Sequence, residues 1–197
     1  LIAMPGIGDP RFDRSVIFLC AHSADGVMGL IINKPAPDLR FRDLLRQLKI
    51  ESTVDVNAVR VHFGGPVEHG RGFVLHSADY RVEGSSLAVS TSFAMTATLD
   101  VLQDMARGAG PERALLALGY SGWGPGQLEG EIQANGWLTG SADPELVFGH
   151  SLYVDSPWAI TSISEAQLWR TMDMASYGDG KVRGVLSVDI SDWSTPG

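Results

Sequence analysis

A chain of 197 residues with a net charge of −8 and one cysteine excludes several classes of protein. It is long enough to bury the core of one domain, and Cys20 alone can form neither an internal disulfide nor a multi-cysteine zinc site. No apolar run reaches the ~18 residues of a membrane span, and the cysteine usage favours a cytoplasmic location. The chain starts in an apolar stretch without an initiator methionine, so we expect further residues before Leu1 and leave a removed signal peptide open.

The charge is distributed unevenly along the chain. Residues 1–50 hold seven Lys/Arg and five Asp/Glu, a balance of +2, whereas residues 51–197 carry −10. The overall negative charge argues against a surface devoted to nucleic acid. A face that binds anions is therefore expected in the first quarter of the chain.

Two apolar, β-branched runs at residues 15–22 and 27–33 are the first predicted elements. Asp25 and Gly26 between them can supply the positive φ angles of a tight turn, which predicts an antiparallel hairpin. Pro35 ends the second strand, because proline cannot donate to a strand ladder.

An amphipathic helix is predicted over residues 39–49, where four apolar residues recur at helical spacing. These residues are Phe41, Leu44, Leu45 and Leu48. The opposite face carries three basic residues, Arg42, Arg46 and Lys49. Such a stripe is most often a solvated helix face, and its functional alternative is contact with an anion or a nucleic acid.

Strands are predicted at residues 58–63, 72–77 and 86–91, followed by a helix that Thr91 or Ser92 can cap. The apolar face of that helix is expected to comprise Ala94, Ala97, Val101, Leu102 and Met105. A buried strand at 114–120 and a short helix at 125–135 come next.

Beyond residue 149, Ser164 and Gln167 predict a capped helix that extends to residue 177. Residues 182–190 are predicted to form a last strand. Hairpins interrupted by helices predict an α+β domain with a mixed sheet.

The stretch GYSGWGPGQLEGEI, residues 119–132, resembles both a nucleophile elbow and a phosphate-binding loop. A nucleophile elbow needs glycine where Trp123 stands, and the only downstream histidine is His150. A phosphate-binding loop needs Lys-Ser/Thr where Pro125 and Gly126 stand. Glu129 and Glu131 also place negative charge where an anion would bind. We therefore interpret the stretch as an architectural strand-to-helix turn, with Ser121 not catalytic.

Three regularly spaced histidines are the remaining candidates for metal ligands. His62, His69 and His76 recur every seven residues, but the intervening glycines and Pro66 forbid one continuous helix. Their spacing matches no recognised zinc pattern, so we expect no metal ligands, no cofactor and no catalytic constellation. The sequence leans against an enzyme.

Four ordered motifs resemble those of the AlgH/YqgE family of small bacterial proteins. They are Met4-Pro-x-x-x-Asp9-Pro-x-Phe12-x-Arg14-Ser-Val16; His22 with Gly26-x-x-Gly29-Leu-Ile-Ile-Asn33-Lys-Pro35; Gly64-Gly-Pro-Val67 with Gly72-Phe-Val-Leu-His76; and Gly119-Tyr, Gly122-Trp123, Gly126-Gln-Leu-Glu129-x-Glu131 and Trp137-Leu138. The resemblance implies a bulged, twisted mixed sheet, partly folded on itself, with helices packed against it. It covers residues 1–148, and we expect residues 149–197 to form a divergent extension packed on the same domain.

The resemblance also implies a direction for function. One member links the family to transcriptional control of alginate synthesis, and the family offers no established catalytic residues to carry over. We expect a binding or regulatory protein that acts through an unidentified protein partner, with no membrane contact and with direct nucleic-acid binding disfavoured by the charge.

The alternative is an undescribed enzyme or a small-anion-binding protein with a polar cleft. Its candidate ligand-binding residues lie beside Gly/Pro turns at strand ends: Asp9, Arg14, Asn33, Lys34 and His76. If the first hairpin forms, Arg14 and Lys34 lie roughly opposite each other at its open end, within reach of one anion. Ordinary turn chemistry, and pairing of Arg14 with Asp9 or Asp13, account better for these residues than a ligand does.

Overall fold

A computed structural model of the chain describes residues 1–4 and 6–149. The strands in that part of the chain are β1 (Ile2–Ala3), β2 (Ile17–Ser23), β3 (Gly26–Ile31), β4 (Arg60–Phe63), β5 (Val67–Ser77), β6 (Ser86–Ala88), β7 (Phe93–Thr96), β8 (Ala114–Trp123) and β9 (Trp137–Leu138). The helices are α1 (Phe41–Gln47), α2 (Leu99–Arg107), α3 (Gln127–Gln133) and α4 (Pro144–Phe148), with a 3₁₀ turn at Pro10–Phe12. The predicted helix after Ser164, the predicted strand at 182–190 and His150 lie outside the described residues.

The main sheet is organised around β8. Its strand order is β2-β3-β8-β5-β7-β6, and β4 also pairs with β8. The β4–β8 pair is parallel, with Arg60 opposite Leu115, while the other pairs of this sheet are antiparallel. β1 and β9 form a separate antiparallel pair. The mixed sheet of an α+β domain is therefore confirmed.

Two bulges curl the sheet. The register of β2 against β3 shifts between Leu19 and Ala21, and that of β5 against β8 shifts between Val67 and Gly72. Such extra residues bend a strand and increase its twist. Opposite the second bulge, Gly119 has a φ of +71°, and a Cβ there would lie 2.7 Å from the carbonyl oxygen of Val67. Only glycine fits this position.

Successive side chains of β8 pack into separate hydrophobic cores on the two faces of the sheet. Leu116 joins the core beneath α1 and α2, where Phe41 and Val101 are buried. Leu115 joins the core on the opposite face, which α4 covers with Phe148. A third core, under β1, β9 and α3, is formed mainly by seven buried residues: Ala3, Ile17, Val27, Ile31, Trp123, Leu128 and Trp137. The period-2 pattern of the strand explains this partition.

The predicted hairpin, the helix after residue 39 and the β8 strand are confirmed, but the second helix is predicted wrongly at its start. Phe93–Thr96 is strand β7, which pairs with β5, and all four of its residues are buried. The helix begins only at Leu99, after Thr98. Ala94 therefore packs in a strand. Pairing with two neighbouring strands satisfies the backbone of this segment on both edges, which a local helical pattern cannot anticipate.

Other differences concern short elements. The third helix begins at Gln127, two residues later than expected, because Gly126 adopts a left-handed φ of 70° before it. The strand expected over 86–91 ends at Ala88, where the chain turns into β7. β1, β9 and α4 were not predicted, since elements of two to five residues show no periodicity. Within the described residues, no helix has the length and apolar character needed to cross a membrane.

Candidate functional site

Four of the five ligand-binding residues expected from the sequence lie at the open end of the β2–β3 hairpin. Asp9 and Arg14 precede β2, while Asn33 and Lys34 follow β3, and Ile17 pairs with Ile31 between them. The fold thus brings these four residues to one corner, as the hairpin geometry requires.

Most of the polar groups at this corner are engaged within the protein. The carboxylate of Asp9 pairs with Arg11 at 2.7 Å, and this contact lowers the pKa of Asp9. Lys34 Nζ donates to the carbonyl oxygen of Arg11 at 2.8 Å. Burial lowers the pKa of Lys34, against the opposing influence of Asp13 and Asp9. Arg14 lies 4.0 Å from Asp13 and is largely exposed.

Asn33 is a clamp between the two strands of the hairpin. Its Oδ1 accepts from the backbone N–H of Val16 at 2.8 Å, and its Nδ2 donates to the carbonyl oxygen of Arg14 at 2.8 Å. Both ends of the amide are therefore used by the backbone on either side of Ser15. Arg14 itself has a positive φ of 53°, a conformation that the clamp holds in place.

His76 lies elsewhere, at the far end of β5 opposite Ala114. It is fully buried; its Nε2 is 2.9 Å from Thr96 Oγ1, and its Nδ1 is 2.9 Å from the carbonyl oxygen of Ser77. Because a carbonyl can only accept, Nδ1 carries the proton and Nε2 accepts from Thr96. Burial lowers the pKa of His76, which favours this neutral form. The structure does not bring His76 together with the hairpin corner.

Ser121 lies inside β8, opposite Gly29 of β3, rather than on a turn. It is fully buried, and its hydroxyl is 3.4 Å from the carbonyl oxygen of Gly64. A nucleophile elbow would raise the serine above the sheet at the strand-to-helix turn. Here the strand continues through Trp123, so Ser121 is part of the ladder.

Glu131 of α3 is bound by two tryptophans. The indole Nε1 of Trp123 donates to its Oε2 at 2.9 Å, and that of Trp137 donates to the same oxygen at 2.7 Å. Gln127 Nε2 donates to Oε1 at 2.9 Å. The carboxylate thus joins β8, α3 and β9. Nearby, His22 Nε2 lies 2.6 Å from Glu129 Oε1 at the surface and links β2 to α3.

The chain from 1 to 149, Pro5 apart, holds no group of three or more His, Cys, Asp or Glu arranged for a metal ion. His62 is 2% exposed, and burial together with Arg60 lowers its pKa to about 4. Burial also raises the pKa of the Cys20 thiol to about 12, so this cysteine is not a reactive thiolate.

An open surface feature lies along α1. A first cleft of about 700 Å³ has an apolar floor of Leu45, Ile50 and Val54. Its basic residues are Arg42, Arg46 and Lys49, the stripe seen in the sequence, and its acidic residue is Glu51. The segment after α1 forms one wall because Thr53 N donates to the carbonyl oxygen of Ala106 in α2 at 2.9 Å.

A second cleft of about 460 Å³ adjoins the first, and Arg42 lines both. Its apolar lining includes Leu39, Phe41, Val56, Val59 and Val61, and its basic residues are Arg40, Arg42 and Arg60. Arg60 donates to the carbonyl oxygen of Gly149 at 2.9 Å and so caps the end of α4. We call the two clefts together the α1 groove. The sequence pointed to the basic stripe but not to Arg40, Arg60 or the apolar floor, which residues distant in sequence assemble.

A model of the AlgH-like family matches residues 1–171. A UPF0301 protein of Ruegeria pomeroyi is 65% identical over 150 residues, covering 76% of this chain and 81% of the relative. A UPF0301 protein of Cereibacter sphaeroides is 60% identical over 148 residues, covering 75% of this chain and 80% of the relative. The residues matched by the family model include those of the hairpin corner, the α1 groove and the tryptophan-bound Glu131.

Solved structures show the same fold. The solution structure of the AlgH protein from Pseudomonas aeruginosa is similar with a TM-score of 0.68 and 38% identity, covering 92% of this chain and 93% of that one. A crystal structure from Corynebacterium diphtheriae is similar with a TM-score of 0.60 at 20% identity, covering 76% and 77%. At that identity the second match supports the fold alone.

Proposed function

The chain belongs to the AlgH-like family, and from that premise we propose that it is a non-catalytic binding protein that acts in regulation through a protein partner. The side chains that the sequence offered as candidates for catalysis or ligand binding support this proposal, because each is engaged within the protein. Ser121 is buried in a strand, Glu131 binds two indoles and His76 bonds Thr96. Side chains held in this way stabilise the fold and offer little to a substrate.

The observation that carries the proposal is the α1 groove. It combines an apolar floor with a basic rim on an open face of the molecule. Protein-binding surfaces commonly join an apolar centre to a polar rim, with arginine enriched. Val54, one of the apolar lining residues, is 40% exposed and so accessible to a partner.

Charge favours a protein partner over nucleic acid. A duplex attracted to the basic stripe of α1 would be opposed by the net charge of −8 of the whole chain. Binding to phosphates through so few cations is weak and falls steeply with salt. A cytoplasmic site of action is part of the proposal, and the single, buried Cys20 agrees with it.

Site-specific photo-crosslinking in living cells tests the partner. A benzophenone amino acid would replace one of three exposed leucines in separate strains: Leu48 just after α1, Leu87 in β6 or Leu99 in α2. We expect a discrete protein adduct from at least one position. No protein adduct from any of the three would overturn the proposal.

A second measurement tests nucleic acid directly. Labelled DNA fragments would be titrated with the full chain at about 50 and 200 mM salt and followed by fluorescence anisotropy. We expect weak binding at low salt and none at high salt. A complex at one defined sequence that persists at the higher salt would show a DNA-binding regulator instead.

A further inference from the structure

We propose that the α1 groove is the docking site of the partner, and that the partner presents a short acidic and amphipathic protein segment. This inference rests on the proposed function and adds the surface and the chemistry of its occupant. Three observations support it: the shape of the groove, its positive charge, and the ion pairs that two of its arginines already form with aspartates of the same chain.

The floor of the groove requires apolar side chains from its occupant. Val54 is 40% exposed and Ile50 is half-buried, so these two residues offer the apolar area of the first cleft, while Leu45 beneath them is nearly fully buried. A ligand that is only charged would leave this surface in water. Burying apolar area contributes about 25 cal/mol per Å², so a segment that places aliphatic side chains here gains affinity beyond charge pairing.

The rim of the groove requires carboxylates. Arg40 and Lys49 line the two clefts, and among the ion pairs of the described residues neither side chain takes part in one. These two cations can pair with an incoming acid without losing an internal contact. They stand at opposite ends of α1, one before Phe41 and one after Gln47, so the acidic groups of the occupant must be spaced along it.

The two remaining cations of α1 already hold carboxylates of the same chain. Arg42 lies 3.8 Å from Asp55, and Arg46 lies 3.5 Å from Asp43. Both pairs are long and exposed, the kind that contributes little to stability. Arg42 lines both clefts, and its guanidinium is already paired with the carboxylate of Asp55. Asp55 thus occupies the position of a partner carboxylate and competes with it.

A nucleic acid fits this groove poorly. Its phosphates would use the rim but make no use of the apolar floor, and they would meet Asp43, Glu51 and Asp55 among the cations. A protein segment can place its apolar side chains and its carboxylates separately. The observations therefore favour an acidic protein segment.

Fluorescence anisotropy with the full chain and a defined peptide tests this inference. The probe is a short labelled peptide in which aspartate and glutamate alternate with leucine. Its controls are the same peptide with serine for leucine, the same peptide with lysine for the acids, and a single-stranded oligonucleotide of equal charge. The protein variants are Lys49→Glu, Arg40→Glu and Asp55→Asn, with Arg81→Glu as the matched control. Arg81 is exposed and lies outside the groove, and its reversal changes the net charge by the same amount.

We expect the acidic leucine peptide to bind, and the serine and lysine peptides and the oligonucleotide to bind at least about fivefold more weakly. Lys49→Glu and Arg40→Glu should each weaken peptide binding about fivefold, because a charge pair with the peptide is lost and a like charge replaces it. Arg81→Glu should change affinity less than twofold. Asp55→Asn should strengthen binding, because the competing charge is removed while the side-chain oxygen that accepts from Asn57 N is retained. Circular dichroism of each variant confirms folding.

Several outcomes would overturn the inference. Equal losses in Arg81→Glu and Lys49→Glu would show unspecific charge attraction, and equal binding of the serine peptide would show that the floor is unused. Tighter binding of the oligonucleotide would favour nucleic acid, and a change of sedimentation coefficient in Lys49→Glu would favour a second copy of the chain as occupant. If a partner crosslinks in cells and the yield of that adduct is unchanged by Lys49→Glu and Arg40→Glu, the proposed docking site is wrong and the proposed function stands. If no partner crosslinks at any position, the proposed function itself fails.

Discussion

Glu131 and Trp137 are joined by a 2.7 Å hydrogen bond from the indole Nε1 to Oε2. Trp123 donates to the same oxygen at 2.9 Å, and both indoles are at least 95% buried. One carboxylate therefore accepts from the N–H groups of two largely buried tryptophans. The relationship explains why an acidic residue follows the glycine-rich turn, and it assigns that residue to stability.

Glu131→Ala is expected to destabilise the protein by roughly 2–4 kcal/mol, because each buried indole left without an acceptor costs about 1–3 kcal/mol. Urea denaturation followed by tryptophan fluorescence measures the change in the free energy of unfolding. Glu129→Ala is the matched control two residues away. Its carboxylate pairs with His22 at the exposed surface, so little change is expected. Similar losses in both variants would contradict the structural role of Glu131.

Ser121 is expected not to react with a serine-directed fluorophosphonate in the folded protein. The hydroxyl is buried in β8, and no general base among the described residues contacts it. Mass spectrometry after labelling identifies any modified residue, and a known serine hydrolase serves as the positive control. Modification at Ser121 would show that the strand hides an active nucleophile.

Asn33→Ala is expected to lower the free energy of unfolding by about 1–3 kcal/mol, because it leaves the N–H of Val16 and the carbonyl of Arg14 without partners. Arg14→Ala is the control, since that side chain is largely exposed and its one ion pair within the described residues is a 4.0 Å contact with Asp13. Thermal and urea unfolding would compare the two. A smaller loss in Asn33→Ala than in Arg14→Ala would contradict the clamp.

Stability is expected to fall as the pH drops from about 6.5 towards 4, partly through His62. Its pKa is lowered from 6.5 to about 4 in the folded protein, so the unfolded chain binds a proton in this window while the folded chain does not. Stability therefore rises with pH here, and the loss at pH 4 approaches roughly 3 kcal/mol for this group. His76, whose pKa is also lowered, adds a loss of the same sign.

Replacing His62 by glutamine should flatten this dependence between pH 4 and 6.5, because the titrating group is removed. Urea midpoints measured across the range would give the slope for each variant. His69→Gln is the control, since His69 is exposed on β5. If His62→Gln keeps the slope of the parent protein, other groups are responsible for the acid loss.

Local patterns in the sequence determined the elements whose signals are strong within a few residues. Two apolar, β-branched runs and the Asp25-Gly26 turn predicted the first hairpin, and the apolar spacing around Leu45 predicted α1. These succeed because side-chain period and turn geometry are set by neighbouring residues. The same logic fails for β7, because Ala94 was assigned to the apolar face of a helix, whereas the backbone of this segment pairs with β5 and β6.

The candidate sites divide in the same way. The sequence by itself determined that Arg14, Asn33 and Lys34 would meet at one end of a hairpin, because strand pairing follows from the turn between them. Only the tertiary structure decided that both ends of the Asn33 amide are occupied, and that His76 lies apart from this corner. The sequence likewise showed the basic stripe on α1. Its apolar floor exists because Thr53 fixes the following segment to α2, more than fifty residues later. Contacts between residues so far apart depend on the packing of the whole sheet, and no local pattern encodes them.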